Sequence, residues 1–282
     1  MGLRTDMAVE AHELSRVDLK EISGVKVTTS TNENITRTVV DVVDDKGAGI
    51  IGKEKGRYIT IDVPQIKYST HDYELAVKMI TDELCALSEG KENILVVGLG
   101  NDDITPDALG SETVKKLIIT THMKKHMPDA LSPDFGSVAA IIPGVMGDTG
   151  IETFEIVKGV TEKLAPDLII AIDSLAGADI NRKTTSIQIA DTGISPGSGV
   201  GNHRNGLNYD SLGVKVIAIG VPTVIAAELL SGGEIDDEYK SLMVTTKDID
   251  YVIKRMSKTI ANGINMAFHR NLDLKAIDEL VG

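Results

Sequence analysis

The chain has 282 residues, of which 42% are hydrophobic, and a formal net charge of −13. This charge argues against a nucleic-acid-binding surface, because phosphate binding requires clustered lysine and arginine. The single cysteine, Cys85, excludes an intrachain disulfide bond and a cysteine-rich zinc site, and we expect it to be a core residue of a helix. The sequence contains no apolar run of membrane-spanning length and no signal-peptide pattern, so it predicts a cytoplasmic protein without a membrane partner.

The first third of the chain is rich in β-branched residues. A short helical pattern at residues 8–14 is followed by predicted strands at residues 25–29, 35–42 and 57–63, which we expect to pair antiparallel. Glycines between residues 47 and 56 indicate a loop.

From residue 94 onward, predicted strands alternate with predicted helices, which is typical of α/β proteins. We predict an α/β fold with a mainly parallel sheet flanked by helices over residues 94–270, and an added N-terminal antiparallel β segment over residues 24–63. The predicted strands include residues 138–142, 168–172, 185–189 and 214–219, and the predicted helices include residues 72–89, 152–164, 222–231 and 248–268.

The stretch of residues 94–110 begins as a predicted buried strand and continues into a glycine-containing turn. Gly100 lets the backbone turn sharply at the end of this strand. Thr105 is predicted to be a helix N-cap and Pro106 the first helical residue, which places Asp107 in the first turn. A carboxylate at that position lies near helix N–H groups, and these favour its ionised form.

A second aspartate, Asp173, directly follows the predicted strand 168–172. Parallel strands would bring Asp107 and Asp173 to one edge of the sheet, where α/β proteins usually bind ligands. Two carboxylates that share a site can hold one proton between them, activate a water molecule and protonate a leaving amine. Taken singly, either aspartate is also an ordinary acid at a helix start or strand end.

Two further motifs concern ligand binding, a glycine-rich loop and a histidine pair. The long loop 191–213 contains a glycine cluster that suits an anion, but it lacks the Lys-Ser/Thr of a P-loop. His122 and His126 have the spacing of zinc ligands on a helix, but no glutamate follows His122 as in the metalloprotease motif. We therefore predict a solvated histidine pair.

Several sequence blocks resemble the germination protease family of spore-forming bacteria, in the family's order and over nearly the whole chain. They include Arg-Thr-Asp-Met-Ala-Val-Glu-Ala at residues 4–11, Thr-Pro-Asp-Ala-Leu-Gly at 105–110, Ala-Ile-Asp at 171–173 and Pro-Gly-Ser-Gly-Val-Gly-Asn at 196–202. The resemblance implies a phosphorylase/hydrolase-like fold similar to that of hydrogenase-maturation endopeptidases. It also implies an atypical aspartic endopeptidase without a metal or other cofactor, in which Asp107 and Asp173 are catalytic.

The resemblance further implies a biological setting. The family degrades small acid-soluble spore proteins at the start of germination, in the forespore or spore core. It works as a homotetramer, and it is made as a zymogen that loses an N-terminal propeptide.

Residues 5–10, Thr-Asp-Met-Ala-Val-Glu, resemble the substrate site of the family. The resemblance predicts autoprocessing between Asp6 and Met7, which divides the chain into a propeptide, 1–6, and a single α/β peptidase domain, 7–282. We expect an extended segment, with Met7 in an apolar pocket, Ala8 in a tight one, and Asp6 and Glu10 beside basic groups or N–H donors. The alternative is a disordered tail that ends in the first turn of a helix.

Two other functions stay open at this point. Asp107 and Asp173 are also suitable ligands for a metal-dependent hydrolase of the maturation-peptidase type. The protein could alternatively be a non-enzymatic module whose glycine-rich loop holds a small anion.

Overall fold

The computed structural model describes residues 5–15, 22–195, 205–230, 236, 239 and 242–281. In these residues the strands are β1 (Val25–Asn32), β2 (Ile35–Val42), β3 (Gly56–Asp62), β4 (Asn93–Gly98), β5 (Ser137–Ile141), β6 (Leu168–Gly177), β7 (Ser186–Ala190), β8 (Lys215–Ala226) and β9 (Met243–Val244). The helices are α1 (Ala8–Ser15), α2 (Asp45–Ile51), α3 (Thr70–Ser88), α4 (Leu109–Val114), α5 (Thr121–His126), α6 (Met146–Thr149), α7 (Thr153–Leu164), α8 (Tyr209–Leu212), α9 (Ala227–Leu230), α10 (Ile249–Phe268) and α11 (Leu274–Val281).

The nine strands of the described part form one mixed sheet. Their order is β1-β2-β3-β7-β8-β6-β4-β5, and β9 pairs with the C-terminal end of β8. Strands β8, β6, β4 and β5 are parallel to one another. Strand β7 is antiparallel to both β8 and β3, so that it joins the N-terminal strands to the parallel part. The predicted α/β class, with flanking helices and an N-terminal antiparallel segment, is confirmed.

Alternate residues of the central strands face opposite sides of the sheet, and each side is covered by helices. On one side, Ile94 and Ile170 belong to a large apolar cluster with Ile80 of α3 and Ile260 of α10. Because all four side chains are almost fully buried, this side supplies most of the continuous core.

The opposite side of the sheet carries two separate apolar clusters. One contains Leu95 and Ile169 with Val157 of α7. The other contains Leu175 and the N-terminal residue Met7. The functional site described below lies on this side, and its walls come from both clusters.

Three sequence predictions are wrong here, in addition to two at the site described below. Residues 45–51 form α2 rather than a loop, because Asp44 caps this helix by accepting from the Gly47 N–H at 2.8 Å. Residues 222–226 extend β8 instead of starting a helix, since β8 pairs with both β6 and β9 there. Cys85 lies on α3 but is exposed rather than in the core.

None of the helices in the described residues combines the length and the apolar character that a membrane crossing requires.

Candidate active site

A cavity of about 720 Å³ lies beyond the end of β4, where β6 and β8 continue past it. Its lining includes Asp107, Asp173 and Asp6. The two aspartates predicted to be catalytic and the acid of the predicted cleavage site are therefore brought to one cavity.

Asp107 is oriented by the close approach of two backbone segments after β4, residues 98–100 and 107–110. Residues Thr105–Asp107 form a 3₁₀ turn, and Asp107 Oδ2 accepts a hydrogen bond from the Asn101 N–H at 2.7 Å. Thr105 is not an N-cap as predicted: Ile104 occupies that position, and no side chain caps the turn. The Asp107 carboxylate is thus held by the Asn101 amide rather than by the start of a long helix.

Three glycines, Gly98, Gly100 and Gly110, allow these two backbone segments to approach each other so closely. A Cβ on Gly98 would lie 2.4 Å from the Gly110 carbonyl oxygen, which is far closer than van der Waals contact allows. Gly100 has a φ of +100°, and a Cβ there would lie 1.9 Å from the Asp107 carbonyl oxygen. The glycines within residues 94–110 therefore allow backbone segments to pack in close contact, and the residue that Gly100 contacts is Asp107 itself.

Asp173 lies within β6, not directly after a strand as predicted, because β8 continues beside β6 as far as Gly177. Asp173 is in register with Gly220 of β8, and Gly220 is in register with Gln188 of β7. Residues in register share a face of the sheet, so Asp173 and Gln188 point to the same side from strands about 10 Å apart. Asp173 is buried, and its Oδ1 accepts from the Ser174 N–H at 2.9 Å.

The N-terminal segment, residues 5–10, is docked against the end of β6. The Asp6 N–H donates to the Ala176 carbonyl at 2.9 Å, and Asp6 Oδ2 accepts from the Ala176 N–H at 2.8 Å. Met7 and Ala8 are fully buried, and Met7 belongs to the same apolar cluster as Leu175. The predicted extended conformation ends at Met7, because α1 begins at Ala8.

Glu10 anchors the other end of this segment. Its carboxylate accepts from the Ala178 N–H at 2.7 Å, from the Asp179 N–H at 3.1 Å and from the Thr5 hydroxyl. Burial raises the pKa of Glu10 above its usual value, although these hydrogen bonds and the nearby Arg182 oppose the rise. The prediction that the acids of the segment meet N–H donors agrees with these contacts.

Two residues that the sequence analysis missed contact the carbonyl of Asp6. Lys53 Nζ lies 3.0 Å from this oxygen and 2.8 Å from the Thr5 carbonyl oxygen. Gln188 Nε2 donates to the Asp6 carbonyl at 3.2 Å, while its Oε1 accepts from the Ala8 N–H at 2.7 Å. Burial lowers the pKa of Lys53, and the carboxylates of Asp6 and Glu10 partly oppose this. Only Gln188 left a signal in the sequence, since an amide between two buried isoleucines requires partners.

The remaining candidate motifs are the histidine pair, a metal site and the glycine-rich loop. His122 and His126 are both exposed on α5, as predicted for a solvated pair. In the described part of the chain, no three His, Cys, Asp or Glu side chains are grouped so that they could hold a metal ion. Within the glycine cluster of the loop 191–213, Gly193 lines the cavity, whereas residues 196–204 lie outside the described residues.

The fold and the site together define an α/β protein with a cavity that is lined by two aspartates and by Asp6 of its own N-terminal segment. The model of the germination protease family matches residues 4–240. The chain belongs to the germination protease family, and the resemblance found in the sequence blocks is thereby confirmed.

The relatives cover nearly the whole chain. The germination protease of Clostridium acetobutylicum is 41% identical over 324 aligned positions, which cover 99% of each chain. That of Caldanaerobacter subterraneus subsp. tengcongensis is 39% identical and covers 100% of this chain and 98% of its own. Among solved structures, the [NiFe] hydrogenase maturation protease HycI from Thermococcus kodakarensis matches 64% of this chain and 98% of its own, with 19% identity and a TM-score of 0.36.

Proposed function

We propose that this peptidase is an aspartic-type endopeptidase in which Asp107 and Asp173 activate the attacking water. The observation that carries the proposal is that both aspartates line the cavity to which the Asp6–Met7 peptide is docked. The substrates are small acid-soluble spore proteins, and the reaction begins their degradation during germination.

The chemistry follows from sharing one proton between two carboxylates. The ionised carboxylate takes a proton from water as the water oxygen attacks the peptide carbonyl carbon. The protonated carboxyl then gives its proton to the leaving amide nitrogen as the C–N bond breaks. This assignment requires only that Asp107 and Asp173 titrate as a coupled pair, with two macroscopic pKa values.

The zymogen part of the proposal concerns residues 1–6. The chain cuts itself between Asp6 and Met7, and until then its own segment occupies the place of a substrate. Support comes from the pattern of contacts, since Met7 is buried among apolar residues and both Asp6 and Glu10 accept hydrogen bonds from backbone N–H groups. A substrate with an acid, a large apolar residue, alanine, any residue and glutamate would satisfy the same contacts.

The assembly and location belong to the same proposal. We propose a homotetramer that acts in the forespore or spore core, without a direct nucleic-acid or membrane partner. Light scattering of the purified chain tests the tetramer, because a monomer has a mass of 30.1 kDa.

The experiment compares Asp107→Asn and Asp173→Asn with Asp103→Asn. Asp103 is exposed, lies four residues before Asp107 and does not line the cavity, so its replacement is a matched control. Each variant is incubated with a purified small acid-soluble spore protein, and the cuts are mapped by mass spectrometry. We expect Asp103→Asn to cut like the wild type and the other two variants to lose cleavage at least about 10⁴-fold, with unchanged circular dichroism.

N-terminal sequencing of the incubated wild type tests the zymogen. A new terminus at Met7 supports autoprocessing. An active enzyme that retains its original terminus would refute it. Full cleavage by Asp107→Asn or Asp173→Asn would refute the aspartic mechanism.

A further inference from the structure

The Asp6 carbonyl oxygen receives two side-chain donors, Lys53 Nζ at 3.0 Å and Gln188 Nε2 at 3.2 Å. We infer that Lys53 and Gln188 form the oxyanion site of this enzyme, stabilising the negative charge that develops on the carbonyl oxygen during attack. This inference rests on the proposed function, in which the Asp6–Met7 bond is the one that is cut.

Gln188 is placed so that its amide spans the proposed scissile bond. Its Nε2 contacts the carbonyl of Asp6, and its Oε1 accepts from the N–H of Ala8 at 2.7 Å. Because Nε2 can only donate and Oε1 can only accept, these two contacts fix the orientation of the amide. The Asp6–Met7 bond is therefore held between two points of one side chain.

Gln188 and Asp173 are both in register with Gly220 of β8. The two residues face the same side across Gly220, over which the side chain of Leu175 lies. A carbonyl bound by Gln188 consequently lies over the same face of the sheet as one of the two proposed catalytic carboxylates. We assign the two donors to the carbonyl oxygen and the two aspartates to the attacking water.

Lys53 supplies the charge of the proposed site. It follows the C-terminus of α2, and its half-buried side chain places the amino group next to the carbonyls of Thr5 and Asp6. An ammonium group in a buried site interacts with a developing oxyanion far more strongly than it does in water. Burial lowers the pKa of Lys53, and an oxyanion beside it would favour the charged form again.

The chemical step balances without another reactant. Water adds to the Asp6 carbonyl carbon and transfers one proton to the ionised carboxylate, while the carbonyl oxygen becomes an oxyanion held by Lys53 and Gln188. When the C–N bond breaks, the oxyanion returns to a carbonyl and the second carboxyl delivers its proton to the Met7 nitrogen. The products are a carboxyl group on Asp6 and an amine on Met7.

Simple anchoring of the segment does not require these two side chains. Asp6 is already fixed by two hydrogen bonds to Ala176, Met7 is buried, and Glu10 accepts from two backbone N–H groups. Donors aimed at one particular carbonyl oxygen add little further attachment, but they lie where a hydrolase needs positive charge.

The test measures self-cleavage of the full chain in Gln188→Glu, Lys53→Met and Lys53→Arg. Gln188→Glu keeps an oxygen for the Ala8 N–H but removes the donor to the Asp6 carbonyl. Lys55→Met is the matched control, because Lys55 lies two residues from Lys53 and pairs with Asp45 at the surface, outside the cavity. The rate is followed by the appearance of the Met7 terminus, and hydrogen exchange of residues 8–15 reports in the same samples whether the segment stays docked.

We expect Gln188→Glu and Lys53→Met each to slow self-cleavage by about 10²–10³-fold while the protection of residues 8–15 is unchanged. Lys53→Arg should recover at least about tenfold of the loss, and Lys55→Met should cut within about twofold of the wild type. A rate that falls only in proportion to lost protection, or that does not fall, would overturn the oxyanion assignment while Asp107→Asn still abolishes cleavage. A wild type that never cuts between Asp6 and Met7 would overturn both this inference and the zymogen proposal.

Discussion

Replacing Gly100 by alanine should displace Asp107. The backbone of Gly100 has a φ of +100°, where an alanine is strained, and the new methyl group would lie 1.9 Å from the Asp107 carbonyl oxygen. Backbone atoms cannot rotate away as a flexible side chain can. The two segments must therefore separate by about 1 Å or more before the contact becomes tolerable.

The expected magnitude has two parts. A positive φ costs an alanine about 1–2 kcal/mol of unfolding free energy. Forcing atoms into a packed region costs about 1–3 kcal/mol more. A displacement of about 1 Å in a catalytic group lowers kcat/KM by about 10²-fold, so Gly100→Ala should lose both stability and activity.

Gly90→Ala is the matched control for this experiment. Gly90 has a φ of +76°, but a Cβ there would meet no atom within 4 Å, and it does not line the cavity. Gly90→Ala should lose only the unfolding free energy that the positive φ costs, about 1–2 kcal/mol, and should keep activity within about threefold of the wild type. Urea denaturation and cleavage of a small acid-soluble spore protein give the two measurements. If Gly100→Ala matched Gly90→Ala in both, the backbone contact would not be what positions Asp107.

Three further predictions concern metal removal, the Met7 side chain and the titration of Glu10. Removal of divalent and transition metals with a chelator should leave cleavage unchanged, because the proposed water activation uses carboxylates alone; activity that is lost and then restored by one added metal would favour the metal-dependent hydrolase instead. Met7→Ala, in a fully buried side chain, should weaken docking of residues 5–10 by about 2–5 kcal/mol and expose α1 to limited proteolysis; unchanged proteolysis would contradict the docked segment. Burial raises the pKa of Glu10 above 4.5, so the docked segment binds a proton that the released segment gives up. The contribution of protonated Glu10 to docking is therefore fully present below pH 4.5 and is lost as the pH rises through the raised pKa. The protection factors of the α1 amides, which are corrected for the pH dependence of intrinsic exchange, should therefore rise on mild acidification, and Glu10→Gln should flatten this dependence; identical pH profiles for the two proteins would show that Glu10 is not the responsible group.

The sequence by itself determined most of the secondary structure and the two candidate catalytic residues. Strands β2 and β6 and helices α3 and α10 have strong apolar periodicity, and tertiary contacts agree with it. Asp107 and Asp173 could be found because each follows a run of buried strand residues. This pattern is local in the sequence and does not depend on how the strands pair.

Only the tertiary structure decided the direction of β7, the continuation of β6 and β8 beyond Asp173, and the approach of Lys53 and Gln188 to the Asp6 carbonyl. These features depend on contacts between residues that are far apart in the chain. Lys53 and Asp6 are 47 residues apart in the chain, and Gln188 and Asp6 are 182 residues apart. Local propensity carries no information about such pairs, because their proximity arises from strand order and register, which long-range hydrogen bonding and burial select.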